Sequence, residues 1–405
     1  MIALPDTGTV AADRVVTAAA VHAPGWVSFE RGAITGVGGG RPAVRPDREL
    51  AGATLVPGFV DVHVHGGGRA GYTEGSETLA RRARAAHLAH GTTTSMASLV
   101  TDTPAGLLAG VETLAALVAA GEIRGIHLEG PWLSPARAGA HDPGLLRHPD
   151  PAEIEALLRA GSLPAAEQTN AAGGRAGAAP DGGSSATPNA IAMVTIAPEL
   201  PGALEAIERF ARAGVVVAIG HTDADYERVV RAIDAGATVA THLFNAMRPL
   251  HHREPGPVLA LLEDPRVAIE LIADGTHLHP ALARWAAGRA GEGRALLVTD
   301  AMGAAGCGDG AYRLGALDVE VAGGVARVAG TDTIAGSTAT MDGLFRRWAG
   351  DCAGDAELID AVRLTAANPA RAMGWHDVGD LAVGRRMHAV ALDADLRVAE
   401  VLRAG

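Results

Sequence analysis

Lysine is absent from the 405 residues, so arginine supplies the whole basic count of 34. Without an ammonium nitrogen there is no Walker A phosphate loop, no Schiff-base lysine and no carbamylated-lysine metal bridge. Sulfur is scarce as well. Cys307 and Cys352 are the only cysteines and form no CxxC pair, which excludes a disulfide framework and a thiolate zinc site. Like charges form no blocks, and a net charge of −12 argues against nucleic acid or an anionic membrane as a partner. No apolar run approaches the ~18 residues of a membrane span. The N-terminus carries Asp6 and Asp13 and lacks the basic-then-apolar order of a signal peptide. These absences predict a soluble, cytoplasmic, globular protein, and at this length roughly three quarters of the unfolded surface can be buried.

What is present is an alternation. Short apolar runs over 59–65, 92–98, 125–129, 192–197, 215–221, 238–242, 268–273 and 295–300 read as eight strands. Between them lie Ala/Leu/Arg-rich stretches of helical period over 77–90, 105–120, 151–160, 203–213, 226–235, 256–263 and 280–287. Eight strands in strict alternation with helices predict an α/β fold, a (β/α)8 TIM-like barrel. Further strands are expected over 15–17, 25–29, 33–37, 389–393 and 397–402, a hairpin over 312–328, and helices over 341–349 and 356–366. The expected domains are therefore a small β-sandwich domain formed from both termini (1–55 and 376–405) and a barrel over 56–375. The stretch 164–190, made mostly of Ala, Gly, Ser, Thr, Asn and Pro, reads as a flexible surface insertion.

In such a barrel the active site forms at the C-terminal ends of the strands. The first run ends in Asp61-Val62-His63-Val64-His65, and alternation puts both imidazoles on one side of the chain. The third ends in His127-Leu128-Glu129, the fifth in His221, the sixth in His242 and the eighth in Asp300. The His63/His65 pair alone reads equally well as hydrogen-bonded side chains, and a lone histidine at a strand end is more often hydrogen-bonded than ligating. A carboxylate closing an apolar strand is nevertheless expensive to bury unless it is paired or binds a metal. Nitrogen and carboxylate donors at the same end of five strands predict a divalent metal site, and donors without sulfur suit Zn²⁺, with Fe²⁺, Co²⁺ or Mn²⁺ as alternatives. A catalytic site of this kind leaves a position for water, and Asp300 beside it is placed to take and return a proton. Glu199 and Asp274, each next to Pro or Gly, read as loop-orienting groups.

Together these residues resemble the amidohydrolase superfamily, on PGFVDVHVHG, the later strand-end histidines and the Asp of VTDAMG. Within it they resemble the N-acetylglucosamine-6-phosphate deacetylase family. The narrower resemblance rests on GIHLEGPWLSPARAGAH (125–141), VTIAPE (194–199), GHTDA (220–224), THLFNAM (241–247), HREPG (252–256), ADGTH (273–277), VTDAMGAAG (298–306) and AGSTATM (335–341). It implies that Glu129, His221 and His242 hold one metal ion. His63 and His65 would hold a second, with Glu129 shared, so one or two ions are expected. It implies Asp300 as the catalytic carboxylate and His141 beside the reacting amide. Ala140, Asn245 and Ala246 would line the sugar, Ile334 would make an apolar contact, and Arg253 and His277 would meet the phosphate. The family's Arg reaches the neighbouring subunit's site, which implies a homodimer. A guanidinium fork suits a dianionic phosphate, and Arg253 beside His251 and His252 forms a local positive cluster.

The resemblance implies hydrolysis of the N-acetyl group of N-acetylglucosamine 6-phosphate, with a metal-activated water attacking the acetyl carbonyl. The alternative is another amidohydrolase acting on a cyclic amide or aminated ring. A third reading, a barrel that has lost catalysis and serves as a scaffold, conflicts with the presence of all five ligand candidates and Asp300.

Overall fold

The computed structural model describes residues 2–163, 188–350 and 354–404. Its chain divides into two compact units, residues 1–61, 85–94 and 339–405 in one and 62–84 and 95–338 in the other. Most of the expected insertion (164–187), like Cys352, lies outside the described residues.

Eight parallel strands run in sequence order around one sheet: Phe59–Asp61, Thr92–Leu99, Gly125–Glu129, Ile191–Ile196, Val216–Ile219, Ala237–Ala240, Ala268–Leu271 and Ala295–Leu297. The sheet closes where Val64 pairs in parallel with Ala301, and the amide of Asp300 donates to the carbonyl of His63 at 2.9 Å. This is the predicted TIM-like barrel, with its polar strand ends gathered at one mouth.

The intervening helices follow from their sequences. Asp150 and Asp225 cap Pro151–Ala160 and Tyr226–Asp234, accepting from the amides of Ala152 and Arg228 at 2.7 Å. Helix Ala203–Arg212 buries Ala203, Ala206, Ile207 and Phe210, the i, i+3, i+4, i+7 stripe of an amphipathic helix. Phe210 then lies 5.4 Å, centroid to centroid, from the buried ring of Trp132.

Several strands are shorter than the sequence predicts. The ladders that stop at Asp61, Ile219, Ala240 and Leu297 end before the histidines and aspartate that the pattern had placed inside them, and the one expected over 268–273 stops at Leu271. The backbone explains part of this: His221, His242 and Asp300 take φ of 46°, 26° and 47°, outside the β region.

The terminal strands form a second sheet, built around Thr7–Val16, Gly25–Glu30, Ala33–Gly39, Arg48–Pro57, His388–Leu392 and Val398–Ala404. Val15, Val27, Phe29, Leu55 and Leu402 bury one face of it, each contributing about 1.5–3 kcal/mol relative to exposure. Arg48–Pro57 and Ile2–Leu4 were not anticipated from the sequence. The latter is held by pairing with residues 402–404, a partner nearly a whole chain away. The expected hairpin is a three-stranded antiparallel meander (Gly310–Leu314, Leu317–Ala322 and Val325–Val328), with positive φ at Gly315, Gly323 and Gly324 making its two tight turns. The helix expected over 356–366 runs as Asp355–Val362 followed by a π-helical turn, Arg363–Ala367, just before Asn368-Pro369. No helix among the described residues is long and apolar enough to cross a membrane.

Candidate metal centre and active site

Six predicted side chains converge, and all of them belong to the second unit. Glu129 Oε1 lies 3.0 Å from His242 Nε2 and 3.3 Å from His221 Nε2, and the two imidazole nitrogens are 3.1 Å apart. Glu129 Oε2 faces the other way, 3.1 Å from His65 Nε2. His65 Nε2 is also 3.1 Å from His63 Nε2 and 3.1 Å from Asp300 Oδ1. Four donors about 2.1 Å from a zinc ion would stand about 3.4 Å from one another in a regular tetrahedron. The observed spacings are no wider than that, and Glu129 belongs to both clusters, its Oε1 also lying 3.4 Å from His63 Nε2.

The ring nitrogens that point away from the centre decide whether the imidazoles fit a metal. His65 Nδ1 meets the carbonyl of Ser98 at 3.2 Å, and His221 Nδ1 meets the carbonyl of Arg137 at 2.9 Å. A carbonyl only accepts, so both Nδ1 atoms carry hydrogen, and in the neutral ring Nε2 is a free lone pair. His63 Nδ1 donates in the same way to Glu270 Oε2 at 3.1 Å. This is the tautomer that a metal ligand needs.

His141 has the opposite arrangement. The amide of Thr101 donates to its Nδ1 at 3.3 Å, and Thr101 Oγ1 lies 2.8 Å from the same atom. The neutral ring therefore carries its hydrogen on Nε2, which looks toward Glu129 Oε2 at 3.4 Å. Burial, against the opposing pull of Glu129, lowers the His141 pKa to about 4, so the ring is a neutral donor at pH 7.

Electrostatics favour a cation at the centre. Burial would depress His63, but Glu129, Asp300 and Glu270 outweigh it and push the imidazole well above its usual range. His65 is likewise depressed by burial and carried up to about 9 by Asp300 and Glu129. Burial would raise Glu129 and Asp300, and the surrounding imidazoles hold both well below the ordinary carboxylate range. Buried carboxylates in this arrangement call for positive charge, which protons on the rings or a divalent ion can supply. The backbone also gives up stability at the site. Left-handed φ at the non-glycine residues His221, His242 and Asp300 costs on the order of 1–3 kcal/mol each, a strain typical of functional sites.

A cavity of about 440 Å³ opens above the cluster, lined by Ala140, His141, Asn245, Ala246, His277 and Ile334 together with His65, Glu129, His221, His242 and Asp300. Its size is that of a small-molecule pocket. Among the residues predicted to meet substrate, only Arg253 is missing from this lining; it is exposed, as are His251 and His252. His277 Nδ1 pairs with Asp274 Oδ2 at 2.8 Å, and although burial opposes it, this bond raises the imidazole and favours its cationic form.

Asp274 also accepts the amides of Thr276 and His277, and Glu199 accepts Thr222 Oγ1 and the amide of Asp223 at 2.6 Å each, so both orient loops. Sequence reasoning missed Glu270, whose only signal was a lone acid inside a four-residue apolar strand. It also gave no task to His127, which bonds Ser98 Oγ at 3.0 Å and Thr195 Oγ1 at 2.8 Å beneath the centre. Burial, followed by the neighbouring His63, pushes His127 well below its ordinary pKa, which keeps that ring neutral.

The sequence model of the amidohydrolase family matches residues 54–404. The chain belongs to the amidohydrolase family. This amidohydrolase is a hydrolytic enzyme, and its buried His/Glu/Asp cluster suits a divalent metal. It is 48% identical to the N-acetyl-D-glucosamine-6-phosphate deacetylase of Mycobacterium smegmatis, solved in complex with N-acetyl-D-glucosamine-6-phosphate, with a TM-score of 0.89 over 98% of each chain. It is 32% identical to the N-acetylglucosamine-6-phosphate deacetylase of Bacillus subtilis (strain 168), over 95% of this chain and 92% of that one. It is also 33% identical to the N-acetylgalactosamine-6-phosphate deacetylase of Escherichia coli O157:H7, over 86% of this chain and 85% of that one.

Proposed function

We propose that this amidohydrolase removes the N-acetyl group of N-acetylglucosamine 6-phosphate, giving glucosamine 6-phosphate and acetate. One observation carries the reading: Glu129, His221, His242, His65 and Asp300 line a sugar-sized cavity, with His63 buried behind them, in a chain similar along nearly its whole length to deacetylases of that substrate. A cyclic amide or an aminated ring has no corresponding support.

Glu129, His221 and His242 would hold one divalent ion, and His63 and His65 a second, with Glu129 shared. We take Zn²⁺ ahead of Fe²⁺, Co²⁺ or Mn²⁺, because the donors are imidazole and carboxylate without sulfur. When bound, the metal supplies Lewis-acid polarisation of the acetyl carbonyl and acidifies water. Asp300 accepts the proton of the attacking water on its carboxylate and delivers it to the departing amine nitrogen. His141, a neutral Nε2–H donor by its bonds to Thr101, stabilises the negative charge that develops on the former carbonyl oxygen. Asn245, with the backbone at Ala140 and Ala246, holds the sugar, and Ile334 packs against it. His277, whose imidazole the bond to Asp274 biases toward its cationic form, receives the phosphate.

Arg253 is exposed and absent from its own chain's cavity lining, which fits a guanidinium that serves the site of a second copy. On this reading the enzyme is a homodimer. A sugar phosphate dianion does not cross membranes unaided, so the reading also makes the enzyme cytoplasmic. Residues 1–55 and 376–405 would form an accessory β domain.

The test is acetate release by the purified protein. N-acetylglucosamine 6-phosphate should be turned over, and the unphosphorylated sugar should be at least a hundredfold poorer. The 4-epimer, N-acetylgalactosamine 6-phosphate, belongs in the panel because one relative carries that name. Equal rates with and without phosphate would remove Arg253 and His277 from their roles, and no acetate from any phosphorylated sugar would sink the reading.

A further inference from the structure

Glu270 sits inside the seventh barrel strand with 0% exposure, and the reaction described above gives it no task. Its Oε2 receives two donors, His63 Nδ1 at 3.1 Å and the backbone amide of His242 at 3.2 Å. One donor belongs to each half of the ligand set. A buried carboxylate carries a heavy desolvation penalty, and an apolar side chain would fill the barrel at less expense. Packing alone therefore does not account for it.

The comparison with His65 is informative. His65 lodges its Nδ1–H on a neutral carbonyl, that of Ser98, whereas His63 lodges its own on a carboxylate. A carboxylate behind a ligating imidazole fixes the tautomer and raises the basicity of the ligating nitrogen. We propose that Glu270 is the positioning residue for His63 and gives the His63–His65 half of the site its capacity for a second divalent ion. The proposal rests on the metal reading given above. Glu270 turns His63 Nε2 toward Glu129 and Asp300, 3.4 Å from an oxygen of each. The same carboxylate oxygen tethers the amide of His242, a residue held at φ 26°, so the two ligand clusters share one support from behind.

The test uses the full chain, stripped of metal and titrated with Co²⁺ and Zn²⁺. It reads ions bound per chain by elemental analysis after equilibrium dialysis, and the Co²⁺ absorption bands of each ion. Wild type should bind two ions. Glu270→Gln keeps an acceptor but loses the charge, and its second ion should bind 10- to 100-fold more weakly while the first keeps its affinity. Glu270→Met, of similar volume and without a buried charge, covers the case in which the amide variant does not fold. Its second ion should weaken at least tenfold more than its first.

A wild type that takes up a single ion overturns the proposal. So do variants whose second-ion affinity stays within threefold of wild type, or that lose both ions in parallel, which is what a merely structural role would produce. A wild type that binds no divalent ion at all defeats the metal reading itself, and that outcome is distinct from a failure confined to Glu270.

Discussion

Replacing Asp300 by Asn tests the assignment of the proton carrier while disturbing little else. The side chains are nearly isosteric, and the residue is buried at φ 47°, a left-handed conformation that Asn tolerates well. Asp300 Oδ1 stands 3.1 Å from His65 Nε2 and 3.4 Å from His63 Nε2, and the amide oxygen of Asn can occupy that place. The variant therefore keeps its fold and most of its affinity for metal but has no group that can accept a proton. A positioned general acid–base contributes about 10²–10⁴ in rate, or about 3–5 kcal/mol at 1.36 kcal/mol per decade. Turnover of N-acetylglucosamine 6-phosphate should fall by at least two decades in kcat, with KM changed severalfold at most. The assay is acetate release under saturating substrate, run beside metal analysis and a thermal melt of the same preparation. A variant that retains its metal and works within tenfold of wild type would refute the role of Asp300.

Removing divalent ions with a chelator should abolish turnover and lower the melting temperature, and Zn²⁺ should restore both. With free ion a thousandfold above its dissociation constant the stabilisation is about 4 kcal/mol, readable by calorimetry. Arg253→Ala should reduce kcat/KM for the phosphorylated substrate roughly 10- to 150-fold, the equivalent of about 1.5–3 kcal/mol for a lost charged hydrogen bond, and leave unphosphorylated sugar unaffected. His90 Nδ1 bonds Asp342 Oδ1 at 3.1 Å, which raises the imidazole pKa against the opposing effect of burial. Its contribution to stability is therefore fully present below about pH 6.5, the unfolded value, and is lost as pH rises through the higher folded value. Melts between pH 5.5 and 8.5 should show that decline in wild type and a flatter profile in Asp342→Asn, and identical slopes would contradict it.

The barrel was legible because its signals are local. Apolar runs alternate with stretches of helical period, and polar residues where a run ends stand out against the burial penalty they would otherwise incur. Glu129, His221, His242 and Asp300 were visible for that reason, and His63 and His65 through their alternation. The same pattern overran the ladders, because periodicity does not show that the backbone turns left-handed at His221, His242 and Asp300. Glu270 escaped notice because a lone acid between Ile269 and Leu271 reads as a solvent-facing interruption of a strand, whereas the closed barrel turns it inward. Strand Ile2–Leu4 depends on residues 402–404, and no local window contains both partners. The meander over 310–328 was half read, since its second turn at Gly323-Gly324 was not separated from the first.

On the proposed reading Glu129, His221 and His242, with His63, His65 and Asp300 beside them, surround a divalent ion that the reaction needs. Anomalous diffraction from crystals of the zinc-loaded protein tests it most directly. A peak is expected about 2.0–2.2 Å from Glu129 and from Nε2 of His221 and His242, with a second between His63 and His65. The opposite result is a map of the zinc-loaded crystals with no peak among these six side chains, joined to acetate release that persists once metal has been exhaustively removed.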